Sequence, residues 1–71
     1  MEKYYLVEIA DGDDLIKGKA IYEYDELRLA IANFHSKLAN AMKSDLYTSE
    51  LLLVVNNEGG IEKYEYYVPT K

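Results

Sequence analysis

Few side chains in this sequence could do chemistry, and the first is His35, the only histidine; there is no cysteine. A serine nucleophile would have to use this one imidazole as its base, and a thiolate nucleophile or metal ligand is excluded. No second histidine and no cluster of carboxylates at helical spacing completes a site around His35. Next to Phe34, the ring is expected to pack over the sheet margin with its polar end toward water or a backbone carbonyl. Asp11, Asp13 and Asp14 could offer oxygens to a hard cation, but the EF-hand pattern needs a longer ligand series ending in a distant Glu. Asp and Gly are also ordinary turn residues, chosen for backbone reasons. Gly59 and Gly60 follow a turn between strands instead of opening a helix, so they do not form a phosphate loop. The expectation is a protein that is not an enzyme, with no catalytic residue, no cofactor and no metal.

Eight tyrosines and one phenylalanine raise the question of a base-stacking sheet. Sheets that bind RNA surround their aromatics with Lys and Arg, whereas Glu8, Glu23, Glu62 and Glu65 interleave with the tyrosines here. Thirteen acidic residues against eight basic ones give a formal charge of −5, a field that repels phosphate and anionic lipid. Nucleic acid and membrane are therefore not expected partners. Tyrosine is suited to protein interfaces, where it supplies large contact area and keeps its hydroxyl wet.

The elements that would position such an interface follow from periodicity. Residues 51–55, Leu-Leu-Leu-Val-Val, form an unbroken apolar run, followed by Asn56-Asn57-Glu58-Gly59-Gly60 and then by residues 61–68. This predicts a hairpin whose first strand is buried on both faces. Its turn is expected to be type I at Asn57 and Glu58, with Gly59 left-handed. Residues 4–9 predict a strand with Tyr5, Val7 and Ile9 on one face and Tyr4, Leu6 and Glu8 on the other. Residues 15–24, interrupted by Gly18, predict a charged edge strand. Asp25 is placed to cap a helix running to about Lys43, and Leu27, Ala30, Ile31, Phe34, Leu38, Ala41 and Met42 make one apolar stripe along it. Residues 44–49 are read as a polar connection.

Together these predict one α+β domain over residues 1–71: a four-stranded antiparallel sheet of order 2-1-3-4 with a β-β-α-β-β chain order and a helix on one face. The helix is expected to cover Tyr5, Val7, Leu53 and Tyr66. The other face would then present Leu6, Ile21, Leu52 and Val54, with Tyr4 and Tyr67 at its margin, as the candidate interface of a homodimer. The helix surface bearing Leu29, Ala32, Ser36 and Ala39 is the alternative, since small residues let a second helix approach closely. Oligomerisation is a natural source of stability for so short a chain with no disulfide. No run approaches the roughly 20 apolar residues of a membrane helix, and the N-terminus lacks a signal-peptide core. A cytoplasmic setting is expected, with virion association left open.

Tyr5, Val7, Glu8 and Ile9, then Phe34, His35, Leu38 and Ala39, then Ser44 and Asp45, Asn57-Glu58-Gly59, and Tyr67 carry a resemblance spread over most of the chain. In these positions the sequence resembles small uncharacterised proteins of tailed bacteriophages and prophages of Gram-positive bacteria. It departs from them in its short, Tyr-rich second strand and in the added Gly60. The resemblance implies an accessory or virion-associated protein that acts by binding itself or a phage or host protein. The alternative is an acidic anti-defence inhibitor whose carboxylates mimic nucleic-acid phosphates on a host protein.

Overall fold

The computed structural model describes residues 2–69. Its elements are β1 (Tyr4–Gly12), β2 (Gly18–Tyr24), α1 (Leu27–Lys43), β3 (Tyr47–Asn56) and β4 (Ile61–Tyr67). They build one antiparallel sheet in the order β2-β1-β3-β4, with the helix on one face. The expected α+β class, chain order and strand order all hold.

Three local expectations need correction. β2 begins at Gly18, because Asp13 turns the chain first: its carbonyl accepts from the Ile16 and Lys17 amides and its Oδ1 from the Leu15 amide. β3 begins at Tyr47 rather than after residue 49, since β1 runs on to Gly12 and offers it a ladder partner as far as Tyr47. Asp25 does not cap the helix. Glu26 occupies the cap position without a side-chain bond, and Asp25 instead accepts from the Lys3 ammonium.

The helix covers the opposite parity from the one expected. Phe34 and Ala30 pack on Leu6, Leu52 and Val54, all three with no exposed surface, and Tyr4, Tyr24, Leu27 and Leu38 pack around them. Met42, read as part of the stripe, is exposed. The reason for the inversion is physical. Both parities of β3 are apolar, so its pattern cannot say which one the helix takes, and Glu8 makes its own parity on β1 look solvent-facing although it lies on the helix side.

The β3–β4 turn falls at the expected residues, with Gly59 at positive φ. The Gly59 amide bonds the Asn56 carbonyl at 3.0 Å, enclosing Asn57 and Glu58, and Gly59 sits at φ +88°. The Asn56 carboxamide oxygen accepts from the Glu58 and Gly60 amides, both at 2.9 Å. No helix among the described residues is long and apolar enough to cross a membrane.

Candidate functional site

With the helix on the Leu6 side, the other face of the sheet lies open. The registers align its side chains in three rows: Glu23, Tyr5, Val55 and Ile61; Ile21, Val7, Leu53 and Tyr64; Lys19, Ile9, Leu51 and Tyr66. Ten of these twelve are aliphatic or aromatic, and the two charged ones, of opposite sign, both stand on β2. Ile21 keeps 69% of its surface exposed and Ile61 65%, with Ile9, Tyr64 and Tyr66 exposed beside them. A shallow groove of about 350 Å³ runs between Val7, Ile9, Lys19, Ala20 and Ile21. The face has contact area but no catalytic constellation.

Of the six residues expected on an interface, Leu6, Leu52 and Val54 are core, and Tyr4 packs against that core with its hydroxyl donating to Glu2 at 2.6 Å. Tyr67 stands opposite Glu50 on the helix side. Only Ile21 lies on the open face, alongside Val7 and Leu53, which were expected under the helix, and Leu51 and Val55. Of the alternative set, Leu29, Ala32 and Ser36 are exposed on the helix and Ala39 is half-buried.

His35 is exposed, its ring meeting Phe34 edge-on at 5.4 Å. The Asp11 carboxylate accepts from the Gly12 amide and that of Asp13 from the Leu15 amide, so both serve the turn. Among the described residues no group of three or more His, Asp or Glu side chains could hold a metal ion.

A second constellation lies under the C-terminal half of α1. Glu50 is fully buried, and no group donates a hydrogen bond to either of its carboxylate oxygens. Glu8 on β1 lies near it, paired with Lys37 of α1 at 3.4 Å, and the Lys37 ammonium sits 4.3 Å above the Tyr22 ring. Burial, and then the neighbouring Glu8 carboxylate as acceptor and as charge, push the Glu50 carboxyl up to about 8, against the opposing pull of Lys37. Lys37 is raised: burial works against its charge, but Tyr22 and Glu8 outweigh it. Tyr47 is raised as well, by burial and by the Glu50 and Glu8 charges. Beside the cluster a cleft of about 330 Å³ is lined by Glu8, Tyr47, Ala10, Ile16 and Ala20 among others.

Sequence reasoning missed Glu50 because residues 44–49 were read as a connection, leaving residue 50 at the edge of the strand. The usable signal was parity: Glu50 shares a face with Leu52 and Val54. In comparisons with protein-family models, curated proteins and solved structures, the chain matches none.

Proposed function

We propose that this chain is a non-enzymatic interaction module that associates with a second copy of itself through the open face of its sheet. The observation that carries the proposal is the continuous apolar surface of three rows across four strands. At about 6.8 Å per row and about 4.8 Å per strand, it covers roughly 400 Å² in projection. That is the scale of the largest apolar patch on an ordinary monomer and about half of what one partner buries in a standard interface. A dimer of micromolar strength is expected.

Charge selects a second copy as the occupant. A two-fold axis lying along the middle row, perpendicular to the strands, stacks each strand antiparallel on its own counterpart. Ile21 then meets Ile21, and Lys19 meets Glu23 of the second copy, so the two charges on the face pair when the face meets itself. The described carboxylates lie mainly elsewhere: Glu2, Glu58 and Glu62 line a hollow at one end of the sheet, and Asp11 and Asp13 occupy the turn at the other. That division favours self-association over phosphate mimicry. The resemblance to phage and prophage proteins supports an accessory role within an infected or lysogenic cell.

Sedimentation of the wild-type chain from about 5 to 200 µM tests the proposal. A mass rising from monomer toward dimer is expected, and Leu53→Lys, at the centre of the face, should hold the chain as a folded monomer throughout. A wild-type chain monomeric at 200 µM, or a Leu53→Lys chain that still dimerises, overturns it.

A further inference from the structure

The helix is seated on two unlike surfaces. Its N-terminal half rests on Leu6, Leu52 and Val54 through Leu27, Ala30 and Phe34. Beyond Phe34 it passes over Glu8, Ala10 and Glu50, and there, apart from Leu38 at the margin of the Phe34 cluster, it contributes the small buried Ala41 and the stem of Lys37 to the contact. Ser36 and Asn40 face water, and Met42 is exposed. The weakest part of the helix–sheet contact therefore lies over a buried carboxylate to whose two oxygens no group donates.

We propose that Glu50 is a proton-operated latch for the C-terminal half of α1: neutral Glu50 lets residues 38–43 seat on the sheet, and loss of its proton to solvent releases them. A neutral carboxyl can stay under the helix at modest cost, whereas an ionised one without a partner costs several kcal/mol to keep there. The groups around it cannot supply compensation. Glu8 on β1 adds like charge, Lys37 on α1 is engaged by Glu8 and by Tyr22 of β2, and Tyr47 on β3 and Tyr67 on β4 carry no positive charge. Lifting residues 38–43 admits water to the carboxylate at the cost of the Leu38 and Ala41 contacts. The residues around Phe34 stay packed. The raised titration range of Glu50 brings this event near neutral pH, within reach of ordinary changes in cellular pH.

Amide hydrogen exchange on the intact chain, corrected for intrinsic rates, tests the latch at pH 6 and pH 8.5. At pH 8.5 residues 38–43 are expected to exchange within a few-fold of their intrinsic rates while residues 30–34 keep at least tenfold more protection, and at pH 6 both segments are protected. In Glu50→Gln residues 38–43 should stay protected at pH 8.5. Should that variant fail to fold, the carboxyl carbon of Glu50 in the wild-type chain is followed by NMR, with a midpoint above pH 6.5 expected. Residues 38–43 as well protected as residues 30–34 at pH 8.5, an unprotected segment 38–43 in Glu50→Gln at that pH, or a Glu50 midpoint near that of a free glutamate overturns the proposal.

Discussion

Replacing Glu50 by leucine should make the protein more stable and nearly remove one arm of its pH dependence. In the unfolded chain this carboxyl titrates near 4.5, and in the folded one near 8. Between those values the folded state holds a proton that the unfolded state has lost. Stability is thus fully present below about pH 4.5 and is lost as pH rises through about 8, the reverse of an ordinary ion-paired carboxylate. At about 1.4 kcal/mol per pH unit the gap bounds the loss at roughly 5 kcal/mol, and the lifting of residues 38–43 limits it to the cost of that opening. Up to about 2–3 kcal/mol is then lost between pH 5 and pH 9. Against the ~3–5 kcal/mol that a core of this size supplies, the loss is large enough to govern folding. It should appear as a melting temperature lower by up to roughly 10–20 °C at pH 9 than at pH 5. Leucine has a similar volume and no charge, and it leaves Glu8 and Lys37 paired. Its melting temperature, followed by circular dichroism in matched ionic strength, should stay nearly flat from pH 5 to 9 and exceed the wild type at pH 8. A wild-type melting temperature that climbs from pH 5 to 8, or a Glu50→Leu variant with the wild-type slope, would refute the assignment.

In the proposed dimer, Lys19→Glu and Glu23→Lys should each weaken association at least tenfold, because the two-fold axis doubles every like-charge contact. The double exchange should recover most of the loss in sedimentation; an additive double variant would rule out this axis while leaving self-association standing. Among the glycines, Gly12→Ala should be the most damaging. Gly12 sits at φ +150°, and an added Cβ would lie 2.2 Å from the Leu46 carbonyl oxygen, which accepts from the Asp13 amide at 3.0 Å. A loss of roughly 3 kcal/mol is expected in denaturant melts from strain and the broken bond. Gly59→Ala has open space but keeps φ +88°, so about 1 kcal/mol is expected there. Gly60→Ala would bring its Cβ within 2.8 Å of the Asn56 amide nitrogen, disturbing the side chain that closes the turn, and it too should cost less than Gly12→Ala.

Strand order was legible because edges and centre differ in composition: charges collect on β2 and β4, and the apolar run marks β3 as central. The face under the helix was not. β2 and β3 run parallel with β1 between them, so β2–α1–β3 is a split crossover, and handedness restricts the side of the sheet on which its helix lies. Which alternate side chains occupy that side depends on the hydrogen-bonding phase between strands, and a pattern apolar at both parities carries no trace of it. Glu8 gave the wrong cue for the same reason that Glu50 gave none. Both lie on the helix side, where a carboxylate is expected only if something near it changes its charge, and that something is a residue distant in sequence. The unbroken run of residues 51–55 stated that both faces are apolar without stating what covers them. The helix accounts for Leu52 and Val54, whereas Leu51, Leu53 and Val55 have the same chemistry and remain partly exposed in one copy. A strand that spends equal apolar surface on both faces is best explained by two covers, and the fold supplies one.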